Sequence, residues 1–291
     1  MPTDLSFIKD ERKEYINSLI RLKVLEVNNN NIPTFADTHQ EQSRILAQGV
    51  ANRLISDGYA ITTLNTRSTN IGTHFEEATC VFLNSTLKKL NSLSSAKMVA
   101  MTKKISLGEF EQLKHIPEIK KIVSRSDNPS LRALLGDYFV KPDIIVYKEP
   151  LDINTLSFGD NDDDIMAKIR EYLKGKKNSL HANISLKWTI RSDRSQNTRT
   201  ECQNFIRNRN GRVPHLIGIT AEPMPSRIAS IAQGTEDLDC VYHPFLYELL
   251  DSANLHKSDG KIFEKAYVSL NEMVQTNRLK DVSLLPIDLL D

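Results

Sequence analysis

Three residues that lie far apart in the sequence carry the side chains needed for metal-assisted cleavage of a phosphodiester. Asp143 opens an apolar run, PDIIVYKE at 142–149, Lys187 lies in a second run, HANISLKWTI at 181–190, and Glu201 follows it. Two carboxylates can hold Mg²⁺, which polarises a phosphate and lowers the pKa of a bound water. An ammonium group can orient that water or stabilise charge on the phosphate. Spacing alone favours a satisfied internal ion pair over a catalytic site.

The run that contains Lys187 has the alternation of a β-strand. Ser185 and Lys187 share one face of such a strand, and Leu186 lies on the other face. Lysine is rarely buried without a partner. If the strand after Asp143 is its neighbour, Asp143 and Lys187 meet at one edge of the sheet. Glu201, in the first turns of the next predicted helix, can then lean toward the same point.

A charged cluster follows this strand directly, at the corner that leads into a predicted helix. It consists of Arg191, Asp193 and Arg194. Arginine binds O6 and N7 of guanine with two hydrogen bonds, and aspartate accepts from N4 of cytosine. The N-terminus of the helix would add backbone N–H groups for phosphate. The cluster therefore suits a G·C-rich major groove, and a solvated loop with local Arg–Asp pairs is the alternative interpretation.

The charge of the chain is balanced overall but unevenly distributed. The 291 residues carry a formal net charge of +1, which neither favours nor excludes nucleic acid. Residues 181–212 contain seven Lys or Arg and two acids, whereas residues 150–164 contain five Asp and no basic residue. Such a distribution suits a protein with one basic working face.

Cysteine usage and hydropathy indicate a reduced cytoplasmic protein without a membrane segment. Cys80, Cys202 and Cys240 are widely spaced and form neither a CxxC motif nor a Cys/His cluster at metal spacing. The N-terminus has no apolar signal region. No apolar run approaches the roughly 18 residues that a transmembrane helix needs.

The periodicity of the sequence predicts strands that alternate with helices. The predicted strands are 97–101, 142–149, 181–190, 214–220 and 238–243. The predicted helices are 5–23, 40–57, one from near residue 72, 108–123, 129–136, 163–174, 195–207, 226–232, 244–253 and 261–276. This order indicates an α/β fold with a central, largely buried mixed sheet. Because no linker-like segment divides the chain, we expect a single domain over residues 1–291.

Several longer segments of the sequence resemble one enzyme family. They are HANISLKWTIRSDRSQN, NRNGRVPH, TAEPMPSRIASIAQGTEDLDCVYH, FLYEL, DYFVKPDIIV at 137–146, GTHFE at 72–76 and RLKDVSLLPIDLL at 278–290. The chain is thereby similar to the NgoMIV-like type II restriction endonucleases, the CCGG-reading branch of the PD-(D/E)xK nuclease superfamily. The likeness is dense over 181–250 and thin over 1–71 and 94–130. It implies a restriction-endonuclease-like core, with a central mixed β-sheet flanked by α-helices.

The resemblance assigns roles to the residues of the metal site. In this branch the last acid of the usual strand motif is displaced onto the following helix, so that Ser185 stands in the strand and Glu201 supplies the carboxylate. Asp143 would be the central metal ligand and the backbone carbonyl of Leu186 would also face the metals. Lys187 would be the catalytic lysine. The implied cofactor is Mg²⁺, with two ions per active site.

A further acidic residue near the site is implied at Glu76. Its neighbour Glu77 leaves the placement open by one residue, although the spacing of Phe75 and Phe82 favours Glu76. An exposed helix carboxylate is the alternative interpretation for both residues, and for Glu77 it is the preferred one.

The resemblance also assigns residues to DNA reading. Arg191, Asp193 and Arg194 match the readers of the CCGG core. Asp37, in FADTH, and Arg227, in PSRIAS, match the readers of the outer base pair. Nearby His39 departs from the small hydroxyl residue of the family.

These assignments imply an Mg²⁺-dependent enzyme that cuts double-stranded DNA at GCCGGC and leaves 5′ overhangs. A palindromic site requires two-fold symmetry, so that we expect at least a homodimer. The relatives form tetramers that engage two sites, and a cognate DNA methyltransferase is expected in the same system.

Two other functions remain open from the sequence. A regulator that binds DNA on a nuclease scaffold would bind without metal and would not cut, but it need not keep Asp143, Lys187 and Glu201 together. A structure-selective repair nuclease would cut branched DNA regardless of sequence, and it need not have the cluster at 191–194.

Overall fold

The apolar runs of the sequence form a six-stranded mixed sheet in the computed structural model. The structure describes residues 4–64, 70–94, 96–102, 106–130, 142–157, 164–190, 205–233 and 238–290. The strands are, in chain order, β1 (Glu26–Val27), β2 (Thr62–Thr63), β3 (Met98–Thr102), β4 (Ile144–Lys148), β5 (Ser179–Lys187), β6 (His215–Thr220), β7 (Cys240–His243) and β8 (Leu279–Asp281). The large sheet has the spatial order β3-β4-β5-β6-β7-β8. Its pairings are antiparallel from β3 to β5 and parallel from β5 to β8.

Helices flank this sheet. They are α1 (Phe7–Arg21), α2 (Glu41–Ser56), α3 (Ile71–Leu90), α4 (Ile116–Arg125), α5 (Asp164–Lys174), α6 (Pro225–Ala232), α7 (Leu246–His256), α8 (Lys261–Gln275) and α9 (Leu285–Asp288). The predicted α/β fold, with a mixed sheet between helices, is confirmed. Among the helices of the described residues, none combines the length and apolar character that crossing a bilayer requires.

The two faces of β4 and β5 contribute to two separate apolar clusters. Ile144, Ile184 and Leu186 belong to the main core, together with side chains of α1, α2 and α3. The opposite face contributes Ile145 and Leu180 to a second cluster. That cluster also contains Phe110, Leu113, Ile116 and Phe205. Burial on both faces explains why these strands read as nearly continuous apolar runs.

The prediction of one helix over 108–123 is wrong. The segment forms two 3₁₀ turns, Leu107–Glu109 and Glu111–Leu113, and only then the α-helix α4. Pro117 explains the break, because proline has no N–H and its ring clashes with the carbonyl one turn earlier in a continuous helix. At the first turn of α4 neither problem arises.

Other parts of the chain either lie outside the described residues or were not predicted. Residues 131–136 and 195–204, which belong to two predicted helices, lie outside the described residues, and residues 205–208 are helical. Strands β1, β2 and β8 and the short helix α9 were not predicted, because segments of two to four residues are too short for a periodic pattern to stand out.

Candidate active site

The edge of the sheet where β4 begins and β5 ends brings Asp143 and Lys187 together. The two strands pair antiparallel, and Ile144 lies opposite Ile184. Continuing this register by one residue places Asp143 beside Ser185, on the face that also carries Lys187. The Lys187 Nζ lies 3.1 Å from the Asp143 Oδ2. The backbone N–H of Leu186 donates to the same oxygen at 2.8 Å.

This pair is partly withdrawn from water. The Lys187 side chain is 23% exposed and the Asp143 side chain 10% exposed. The attraction between their charges is therefore less screened than at the surface. Because about a quarter of the Lys187 side chain, 23%, remains exposed, a phosphate that approaches this edge can reach it.

The donor atoms at this edge suit a hard divalent cation. A carboxylate oxygen and a backbone carbonyl oxygen are ligands that Mg²⁺ accepts. The Asp143 carboxylate accepts a hydrogen bond from the N–H of Leu186, the residue that would supply the carbonyl. Within the described ranges, no cluster of three or more His, Cys, Asp or Glu residues forms a metal site. Glu201, the third predicted ligand, lies outside the described residues.

The remaining predicted catalytic residues lie on the two elements that meet behind this edge. Ser185 is buried in β5 and is 3% exposed. Glu76 lies on α3, next to Phe75, whose ring packs against Trp188 with 5.0 Å between centroids. Glu76 is half-buried whereas Glu77 is exposed. The burial therefore favours Glu76 as the inward-facing acid of the two.

A second carboxylate–cation pair joins two segments that are 190 residues apart in sequence. The Arg227 Nη2, on α6, donates to the Asp37 Oδ2 at 2.6 Å. Arg227 lowers the pKa of Asp37 through this hydrogen bond. The segment of Asp37 is tethered by Phe35, which is fully buried and packs edge-on against Trp188. The structure thus brings together the two residues that were predicted to read the outer base pair.

A buried carboxyl group beneath this second pair was not singled out from the sequence. Glu222 has a relative exposure of 0%. Its Oε2 accepts from the Ile190 N–H at 2.9 Å, and its Oε1 lies 3.5 Å from the Arg227 Nη1. Burial raises the pKa of Glu222 to about 7. The only signal in the sequence is an acid between a strand and a helix, which is too common to be informative.

The predicted readers of the CCGG core, Arg191, Asp193 and Arg194, lie outside the described residues, as does Glu201. The residues that border this segment are anchored on either side. Ile190 is 1% exposed in the main core, and Phe205 is 5% exposed in the second cluster.

Comparison with known proteins points to one family. The sequence profile described as "NgoMIV restriction enzyme" matches residues 15–290. The type II restriction enzyme NgoMIV of Neisseria gonorrhoeae is 38% identical over 294 aligned residues, which cover 96% of this chain and 97% of that protein. The match includes the edge with Asp143 and Lys187 and both residues of the Asp37–Arg227 pair.

Proposed function

Because the chain belongs to the NgoMIV restriction enzyme family and is a type II site-specific deoxyribonuclease, we propose that it cuts both strands of DNA at GCCGGC and leaves 5′ overhangs. The observation that carries this proposal is the Asp143–Lys187 pair, with 3.1 Å between Oδ2 and Nζ, on neighbouring strands of a family member. A carboxylate that can hold a metal ion and an ammonium group beside it can both promote phosphodiester hydrolysis.

Type II restriction enzymes generally use a divalent metal ion. We propose Mg²⁺, with two ions per active site, held by the carboxylates of Asp143 and Glu201 and by the backbone carbonyl of Leu186. When bound, such ions supply positive charge beside the scissile phosphate and make a nearby water more acidic. The Leu186 N–H, by donating to Asp143, fixes the orientation of the central carboxylate.

Lys187 orients the attacking water or stabilises the charge that builds on the phosphate. Its hydrogen bond to Asp143 holds the ammonium group at the edge of the sheet. Ser185 occupies the strand position where the usual motif has an acid, and Glu76 contributes a further carboxylate from α3.

The position of Phe205 supports the role of Glu201. Phe205 packs in the cluster of Ile145 and Leu180, on the face of β4 that, by strand alternation, also carries Asp143. Glu201 precedes Phe205 by one helical turn in the predicted helix. A side chain one turn away on the same helix face would point to the same side of the sheet.

The proposed recognition uses two groups of residues. Arg191, Asp193 and Arg194 read the CCGG core, and Asp37 and Arg227 read the outer base pair. The hydrogen bond between Asp37 and Arg227 supports this assignment, since the two side chains would have to act on the same base pair.

The proposed site also determines the partners. Reading a palindrome requires two copies related by a two-fold axis, so we propose a homodimer at least, and a tetramer as in the family. Each copy is one endonuclease domain over residues 1–291. A cognate methyltransferase must protect the host sites, and both enzymes act in the cytoplasm, where the host DNA lies.

Cleavage mapping tests this function. An unmethylated plasmid with two GCCGGC sites is incubated with purified protein and Mg²⁺, with EDTA as one control and a plasmid carrying ACCGGT at both positions as the other. The expected result is two linear fragments from the GCCGGC plasmid alone, with 5′ overhangs when their ends are sequenced. Intact DNA with folded protein, or cutting at unrelated positions, would contradict the proposal.

A further inference from the structure

The two segments that leave β5 and β6 run side by side beyond the end of the strand pairing. Lys187 and Thr220 form the last pair of the parallel ladder. Ala221 N–H still donates to the Trp188 carbonyl at 3.2 Å. The next donor, the Ile190 N–H, donates instead to the Glu222 side chain. The Glu222 carboxyl group thus replaces a backbone carbonyl and extends the contact toward residue 191.

The other oxygen of the same carboxyl group contacts the start of α6. Glu222 Oε1 accepts from the Met224 N–H at 3.2 Å. Met224 is the residue that precedes α6, on which Arg227 lies. The same oxygen lies 3.5 Å from the Arg227 Nη1. One carboxyl group therefore touches both the residue directly before Arg191 and the helix that carries Arg227.

Glu222 is itself held in a fixed orientation. Its own N–H donates to the Thr220 Oγ1 at 3.1 Å. Behind it, the Nδ1 of the buried His243 accepts from the Phe245 N–H at 3.0 Å, so that the proton of the neutral ring is on Nε2. That Nε2 lies 3.3 Å from the Glu222 carbonyl and donates to it. The backbone of Glu222 cannot rotate without breaking these bonds.

We propose that Glu222 is a positioning residue: it fixes Ile190, the residue directly before the proposed core readers, relative to the helix of Arg227, so that the core and the outer base pair are read together. A buried carboxyl group costs free energy unless its hydrogen bonds compensate, and an apolar side chain would fill the same space. Its bonds join Ile190, which directly precedes the proposed core readers, to the start of the helix that carries Arg227. The inference rests on the proposed function, because it presupposes that these segments read DNA.

Single-turnover cleavage of three duplexes tests this role. They carry GCCGGC, ACCGGT with a changed outer pair, and GCATGC with a changed core. In Glu222→Gln only one side-chain oxygen remains, so one of the two connections is lost, and Glu222→Leu loses both. We expect the preference for GCCGGC over each altered duplex to fall at least about fivefold in both variants, the scale of one base contact. Arg227→Ala should lower only the preference over ACCGGT.

The preference is a ratio of rates, so a smaller fraction of active protein does not change it. Glu248→Gln is the matched control, because Glu248 is also a buried carboxylate facing an arginine, with 2.8 Å to Arg12, but lies on α7. It should leave both preferences unchanged. Unchanged preferences in both Glu222 variants, or a change for one altered duplex only, would overturn the inference. If the wild-type protein shows no preference, the proposed function fails instead.

Discussion

The Asp143–Lys187 and Asp37–Arg227 pairs have similar chemistry but different supports. Both join a carboxylate to a cation, with closest distances of 3.1 Å and 2.6 Å. The first lies where β4 begins and β5 ends, on the residue directly before β4 and the last residue of β5, and its carboxylate is 10% exposed. The second joins a loop to a short helix, and both of its side chains are about one quarter exposed, at 24% and 25%.

This difference matches the work proposed for each pair. A catalytic group must hold its geometry throughout the reaction, and strands fixed by hydrogen bonds on both sides provide that. A side chain that recognises a base must give up its hydrogen bond within the protein and form one with the base. A side chain on a loop or in the first turn of a helix can do so at small cost. The comparison predicts that substitutions in the Asp143–Lys187 pair lower the cleavage rate, whereas substitutions in the Asp37–Arg227 pair lower the preference for GCCGGC over altered sequences.

The largest effect is expected for Lys187→Ala. Cleavage of GCCGGC should fall by at least about 100-fold, because a group that stabilises developing charge acts mainly in the transition state. Specific binding, measured without Mg²⁺, should persist. Lys187→Met keeps the aliphatic stem and should behave in the same way, which separates the charge from packing. Simultaneous loss of binding and cleavage in both variants would mean that Lys187 is structural.

The sequence predicted the first pair better than the second for a physical reason. Strand alternation placed Ser185 and Lys187 on one face, and Asp143 headed another apolar run, so that only the pairing of two strands was missing. Asp37 and Arg227 have no such local pattern, and 190 residues separate them. Only the family resemblance indicated that they act on one base pair.

Glu222 shows what local patterns do not reveal. Its significance comes from contacts with Ile190, Met224, Arg227 and His243, which tertiary packing brings to one point. The broken helix before α4 is a different failure. The apolar periodicity on both sides of Pro117 predicts one continuous helix, but the proline, which lacks an N–H, is tolerated only in the first turn of α4.

The next largest effect is expected on the pH dependence of stability, because Arg227 of the second pair contacts the buried, titratable Glu222. Burial raises the pKa of Glu222 from 4.5 to about 7. The folded protein therefore binds a proton that the unfolded chain has released between these values. The resulting stabilisation is complete below pH 4.5 and is lost as the pH rises through about 7.

Urea unfolding at a series of pH values from about 5 to 8 measures this contribution. The unfolding free energy of the wild-type protein relative to that of Glu222→Gln should fall by about 2–3 kcal/mol between these pH values, because glutamine does not titrate. His243 has its pKa lowered by burial to about 4 and destabilises the fold as the pH falls, but it is present in both proteins and cancels in the difference. A pH-independent difference would contradict the prediction.

A smaller effect is expected for the second pair itself. Arg227→Ala should lower the binding preference for GCCGGC over ACCGGT by roughly 1–3 kcal/mol, the range of one bidentate base contact. Asp37→Asn should act in the same direction, and the double variant should show less than the sum because the two side chains are bonded. Competition binding without Mg²⁺ measures all three.

Arg194→Ala is the counterpart of this prediction at the core. It should reduce the preference for GCCGGC over GCATGC by roughly 1–3 kcal/mol and leave the preference over ACCGGT unchanged. If affinity for cognate and scrambled DNA fell equally, Arg194 would be only a phosphate contact.

The smallest effect is expected for a third ion pair, at the opposite end of β4. Lys97 Nζ lies 2.9 Å from Glu149 Oε1, and the side chains are 61% and 39% exposed. Water and salt screen such a pair, so Lys97→Ala should leave the cleavage rate within about twofold of wild type. The same single-turnover assay used for Lys187→Ala measures it. A large loss would show that any lysine–carboxylate pair beside this strand matters, and the distinction between a catalytic and a structural pair would no longer hold.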